Sequence, residues 1–256
     1  SEGQMGESWP STHSEEFLKL PVSEEECEKA EEIRQSLYES KLNRWTSTDA
    51  SVYKKTGKDE VLGRIDPSKP LVFYAGQNDF ESGFYPYTEH TRQFHSPVFE
   101  SSDEAAVYLA KICDRNGWNF LYKRHPMMRG ATDVIFPENV IMNDTIDIHD
   151  AIDISDVTVT ILSQTSYVAL IRNKPALMLG YHQLCNKGCV YEAWQKCDVE
   201  KQIKLALEKG FTQEQKDNFK KHIAQLCKYY LYTDFINHSV DFGKSLDDLV
   251  EYIIKK

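Results

Sequence analysis

The sequence predicts an α/β protein: a parallel sheet with helices on both faces, preceded by an N-terminal helical segment and followed by C-terminal helices. Three observations predict it. Five short apolar runs, near residues 71–75, 118–122, 140–142, 157–162 and 176–179, have the length and β-branched or aromatic content of buried strands. Stretches with helical periodicity separate most of these runs, which is the βαβ pattern. The runs end in polar residues or glycine, the pattern of strands that stop at a functional edge.

Residues 1–22 are polar, carry Pro10 and Pro21, and read as a loose leader. Ser23 with Glu26 three residues later is a capping-box pattern, and a helix to about Leu42 follows. Its apolar positions, Ala30, Ile33 and Leu37, make a narrow stripe. Residues 43–69, with Gly57, Gly63 and Pro67, read as a connector. The organisation expected is therefore a leader, helix and connector over 1–69 and a Rossmann-like domain over 70–256.

That domain opens with the strand Leu71–Ala75. A long polar and aromatic loop over 77–101 comes next, then a helix from Ser102 to the stop signal Asn116-Gly117. Strands at Trp118–Tyr122 and Val140–Met142 follow, then a short helix at 148–154. Val157–Leu162 is a strand, Thr165–Asn173 a helix and Ala176–Leu179 a strand ending at Gly180. The remainder is read as helical over about 198–209, 213–231 and 244–254.

The chain has 256 residues, 41% of them hydrophobic, with a net charge of −10. That suffices for one sizeable core but not for two Rossmann-like halves, which need roughly 300 residues. Residue 1 is Ser, so the chain reads as processed or excised, and a second domain outside it is expected. The acidic balance disfavours nucleic acid. One basic island, Lys111, Arg115, Lys123, Arg124 and Arg129 against Asp114, suits a small anion better than a polymer. No apolar run approaches the ~20 residues of a membrane span. Cys27, Cys113, Cys185, Cys189, Cys197 and Cys227 read as free thiols of a cytoplasmic protein.

The residues that leave the strands carry the candidate chemistry. Gln77-Asn78-Asp79 follow the first strand, where Asp79 or Glu81 offers a base. Lys123-Arg124-His125-Pro126 follow the second. Pro126 holds His125 away from helical geometry, so its imidazole stands at the strand exit with cations that can meet a phosphate; a surface histidine beside a turn proline is the plainer reading. Ser163-Gln164-Thr165-Ser166 follow the fourth strand and open a helix, a hydroxyl-rich turn suited to phosphate without a metal. Simple capping explains the same residues. There is no G-x-G-x-x-G and no P-loop. Cys185, Cys189 and Cys197 with His182 match no common zinc spacing, so no metal is expected. His149, among Asp147, Asp150 and Asp153, reads as part of a solvated helix face. Phe84-Tyr85-Pro86-Tyr87 could stack a base or sugar, or pack within its loop.

These motifs in this order resemble bacterial capsule polysaccharide biosynthesis proteins, the group that includes Kdo transferases. The resemblance covers about 25–195: Ser40-Lys41-Leu42-Asn43, Gln77-Asn78-Asp79, Lys123-Arg124-His125-Pro126, Ser163-Gln164-Thr165-Ser166 and Lys174-Pro175-Ala176 with Gly180. Bacterial sialyltransferases of GT-B type share the His-Pro and Ser/Thr elements. The resemblance implies a GT-B donor domain that takes Kdo or a sialic acid from a CMP-sugar, without cofactor or metal. It implies that His125, Ser163, Thr165 and Ser166 contact the CMP phosphate. The residues themselves add Gln77, Lys123 and Arg124 as further phosphate contacts, and Asp79 or a residue of an absent domain as the catalytic base. The partners expected are a nucleotide sugar, a glycan or glycolipid acceptor, and a capsule-export complex at the inner face of the membrane. The pattern departs from the family at Arg124, where proline is usual, and at Val168-Ala169, where the family has Glu. A ribose-binding Glu is thus missing or supplied elsewhere. A UDP-sugar enzyme, either a 2-epimerase or a transferase, and a non-catalytic module of capsule assembly are the alternatives.

Overall fold

A computed structural model describes residues 6–40, 56–80, 88–128 and 133–230. Four helices come first: α1 (Trp9–Thr12), α2 (Ser14–Leu18), α3 (Glu24–Ser40) and α4 (Thr56–Leu62). Then come β1 (Leu71–Ala75), α5 (Glu89–Arg92), α6 (Ser102–Asn116), β2 (Asn119–Lys123), a 3-10 turn at Pro126–Met128, β3 (Val140–Met142) and α7 (Ile148–Ile154). β4 (Val157–Thr160), α8 (Thr165–Ile171), β5 (Ala176–Met178), β6 (Tyr191–Glu192), α9 (Lys196–Lys209) and α10 (Gln213–Tyr229) complete it.

Among the described residues, six strands form one parallel sheet in the order β3-β2-β1-β4-β5-β6. β1 is central. Its Phe73 faces Leu121 of β2 on one side and Thr158 of β4 on the other. Every β1 residue is buried because helices cover both faces of the sheet. The strand alternation divides the core. Val72 and Tyr74 join Leu109 of α6 and Ile203 of α9 on one face. Leu71, Phe73 and Ala75 join Ala30 and Ile33 of α3, Ala151 of α7, Ala169 of α8 and Phe219 of α10 on the other.

The helix ends follow the sequence signals. Ser23 and Glu26 form a reciprocal capping box, with bonds of 2.7 and 3.2 Å. Gly117 ends α6 at φ 68°, the left-handed conformation glycine adopts without strain.

Four expectations need correction. Residues 6–22 are no loose leader: they form α1 and α2, and Phe17 is fully buried. Gln225 of α10 donates to the carbonyls of Phe17 (3.0 Å) and Leu20 (2.9 Å), and buried Lys187 donates to Pro10 O at 2.8 Å. One ring and several trapped carbonyls anchor this segment, so it shows no periodic apolar pattern. Within the expected connector, α4 buries Val61 and sets Gly57 flush on Ile146, where a Cβ would meet the Ile146 nitrogen at 2.7 Å. β6, only two residues long, carries too little pattern to be read. His149 is buried, not on a solvated face: Asp147 caps α7 through the His149 N–H at 2.8 Å, and Asp153 pairs with Arg172.

Val61, Ala30 and Ile33 share a buried cluster with Phe73, so packing is continuous across residues 69 and 70. The expected helix over 244–254, the aromatic stretch 84–87, Glu81 and Arg129 lie outside the described residues.

Candidate functional site at the carboxyl edge

All strands run the same way, so their carboxyl ends share one edge. The chain winds from β1 outward through β2 to β3, then returns past β1 to β4. β1 and β4 therefore flank the switch point, the place where open parallel sheets bind ligands.

The β1 exit is closely packed. A Cβ on Gly76 would lie 2.9 Å from a ring carbon of Tyr122 and 3.2 Å from Lys123 O, so this position has no room for a side chain. Gln77 and Asp79 turn inward and are both buried. Asp79 Oδ2 accepts from the Ser102 N–H at 2.9 Å, the first residue of α6, and Gln77 Nε2 donates to Asp79 Oδ1 at 3.4 Å. Ser102 Oγ meets Tyr74 OH at 3.0 Å and accepts from Gln77 N–H at 3.2 Å. Burial raises the Asp79 carboxyl to about 6.

At the β2 exit, Lys123 is buried and its Nζ donates to Asp144 O at 2.8 Å. Arg124 donates to the Asp144 carboxylate from Nε at 3.0 Å and from a terminal nitrogen at 2.5 Å. Both cations thus meet Asp144, which braces the exit. His125 is half-buried at the edge, and its Nδ1 accepts from Met127 N–H at 3.2 Å.

At the β4 exit, Ser163 Oγ donates to Thr165 Oγ1 at 3.1 Å and accepts from Thr165 N–H at 3.2 Å. Ser163 and Thr165 are half-buried and Gln164 is exposed. Ser166 differs: it is fully buried and donates to Ser163 O at 2.8 Å, so it holds the turn from inside. Gln77 Oε1 accepts from Leu162 N–H at 3.3 Å, which links this exit to that of β1.

At the β5 exit, Tyr181 stacks on Trp194 with centroids 5.1 Å apart, while His182 turns into the interior. Burial lowers the His182 imidazole to about 3. Among the described residues, no three His, Cys, Asp or Glu side chains gather as metal ligands. Cys185 and Cys189 are buried while Cys197 is exposed on α9; all six cysteines are free thiols.

Hydrogen bonds therefore join Gln77 to Asp79 and to Leu162, the residue before the 163–166 turn, and His125 stands on the same edge. The exits that carry His125 and Ser163 are not adjacent: β1 lies between them, a separation of roughly 10 Å at sheet spacing. Sequence reasoning missed Asp144 and Ser102. The signal for Asp144 was its place just after β3, a strand end as polar as the others.

A doubly wound parallel sheet with its ligand edge at the β1/β4 switch point defines the class of fold. No family model matches the chain, and no curated protein matches it. Solved structures do. The beta Kdo 2,4 transferase of KpsC from Thermosulfurimonas dismutans aligns over 96% of this chain and 70% of its own length, with 13% identity and a TM-score of 0.53. The beta Kdo 2,7 transferase of the same organism's KpsC aligns over 72% of this chain, with 17% identity and a TM-score of 0.46. A UDP-N-acetylglucosamine 2-epimerase homologue from Listeria monocytogenes covers 73% of this chain at 15% identity, with a TM-score of 0.38. This chain spans 51% of the second structure and 49% of the third. The first of these likenesses establishes a shared fold.

Among the described residues, no helix is long and apolar enough to cross a membrane.

Proposed function

We propose that the chain is the donor-binding part of a glycosyltransferase that moves an acidic sugar, Kdo or a sialic acid, from a CMP donor to a surface glycan. One observation carries the proposal: the His125 exit and the Ser163–Ser166 turn flank β1 at the carboxyl edge of a single parallel sheet. The fold shared with a beta Kdo 2,4 transferase supports it.

In this reading, the Ser163 and Thr165 hydroxyls and the backbone of their turn hold the CMP phosphate. No metal is called for. His125 meets the leaving phosphate from the opposite side of β1 and offsets the charge that grows there as the sugar departs. Lys123 and Arg124 act at one remove, through the exit they brace. The base that activates the acceptor hydroxyl is Asp79 or a residue of a second domain, and the burial of Asp79 favours the second domain. An acceptor growing at the inner face of a membrane would bring the protein there as a peripheral component.

Calorimetric titration of CMP, UDP and AMP into the chain and into His125→Ala tests this. CMP should bind best, and the variant should lose about tenfold or more in affinity, the effect of one charge-assisted hydrogen bond. Equal affinity for both proteins, or no CMP binding, sinks the reading. A preference for UDP selects a UDP-sugar enzyme. CMP binding by a full-length protein that turns over no CMP-sugar selects a non-catalytic module.

A further inference from the structure

We infer that Asp144, at the exit of β3, is a positioning residue for the His125 imidazole. The role of that imidazole toward a phosphate rests on the function proposed above; the orientation of the ring does not.

Asp144 holds the residue before His125 at three points. Arg124 N–H donates to Oδ1 at 3.1 Å, Nε to Oδ2 at 3.0 Å and a terminal nitrogen to Oδ2 at 2.5 Å. Both side chains are only 16% exposed. A two-pronged pair with this little solvent fixes geometry as well as charge. Because the main chain and the side chain of Arg124 are both held, the peptide entering His125 has one direction. The Lys123 bond to Asp144 O secures the preceding residue to the same point.

Asp144 is itself anchored. Asn143 N–H donates to Tyr122 O at 3.1 Å and extends the β2–β3 ladder past the strand end. Asn143 Oδ1 accepts from the N–H groups of Thr145 (3.0 Å) and Ile146 (2.8 Å). Its amide nitrogen donates to Glu60 at 3.2 Å and to Gly57 O at 3.3 Å, both on α4.

On the other side of His125, Met128 N–H donates to His125 O at 2.8 Å, and Met127 N–H donates to Nδ1. A ring nitrogen that accepts cannot also carry the hydrogen. The neutral imidazole therefore carries it on Nε2, as a donor. From α4 through Asn143, Asp144 and Arg124, hydrogen bonds joined by two peptide links fix the main chain entering His125, and the Met127 N–H then sets where that donor points.

Long-range 1H–15N spectra of the full chain, with His125 assigned by its loss in His125→Ala, read this directly. The expected wild-type pattern is a single Nε2–H form. Asp144→Ala, or Asp144→Asn if the alanine variant does not fold, should replace it with averaged nitrogen shifts. Unchanged His125 shifts in a folded variant overturn the inference. A CMP titration adds a second readout. Asp144→Asn should weaken CMP by about fivefold to tenfold in the wild-type background and by less than about twofold in His125→Ala. Equal losses in the two backgrounds would mean that Asp144 acts on the fold alone, and also overturn it. If the wild type ignores CMP while its ring still answers to Asp144, the glycosyl-transfer reading fails and the positioning stands.

Discussion

Gln77 at the end of β1 accepts a hydrogen bond from Leu162 N–H at 3.3 Å, so one side chain joins the two strand exits at the switch point. Its other end faces the Asp79 carboxylate at 3.4 Å, which fixes which way the amide is turned. Gln77→Ala removes both contacts in a buried setting and should cost about 1–3 kcal/mol of stability. Gln77→Glu places a second carboxylate against Asp79 and should lose more at pH 8 than at pH 5. Urea unfolding at the two pH values checks both; a Glu variant indifferent to pH would refute the contact.

Asp79 is 3% exposed, and burial raises its carboxyl to about 6 from 3.8. Between these values the folded protein holds a proton that the unfolded chain has lost. Stability from this group therefore falls as pH rises from 4 to 6, by about 3 kcal/mol, and is constant above. Asp79→Asn abolishes that slope. The difference in unfolding free energy between wild type and variant should change by about 3 kcal/mol from pH 4 to pH 7; a constant difference would mean an ordinary carboxyl.

His182 and His222 titrate in the opposite sense. Burial lowers both to about 3 from 6.5. Below pH 6.5 the unfolded chain binds protons that the folded protein refuses, so stability falls on acidification. The limiting loss is about 5 kcal/mol for each ring. Two such losses outweigh the single gain from Asp79, so net stability should drop below pH 6. His182→Gln should move the acid unfolding midpoint to lower pH; an unmoved midpoint, read by circular dichroism, would count against it.

Phe17 is fully buried, with its ring 5.3 Å from that of His222 and 5.8 Å from that of Tyr230. Phe17→Ala should cost about 3–5 kcal/mol in chemical denaturation. A loss below about 1 kcal/mol would mean that the N-terminal helices contribute little to the core.

The strands were legible because the central ones are buried on both faces: Leu71–Ala75 and Val157–Thr160 can be read without knowing their partners. The polar exits were legible for a related reason, since Lys123 to His125 and Ser163 to Ser166 interrupt those runs abruptly. The destination of each side chain was not legible. Arg124 and Asp144 lie 20 residues apart and meet only because β2 and β3 are neighbours. Ser166 and His182 occupy exit positions as polar as Ser163, yet point inward, and only the packing decides that. α1, α2 and α4 were missed because each is held by one or two residues, Pro10 in α1, Phe17 in α2, Gly57 and Val61 in α4, which is too few to make a period.

The hold of α10 on the N-terminal segment has a consequence for synthesis. Gln225 grips the carbonyls of Phe17 and Leu20 across more than 200 positions of chain. The Phe17 ring rests on His222, which the ribosome delivers almost as late. α1 and α2 thus wait, without their eventual seat, until α10 has left the exit tunnel. Closing so long a loop is slow but entropically mild, because its cost grows only with the logarithm of length.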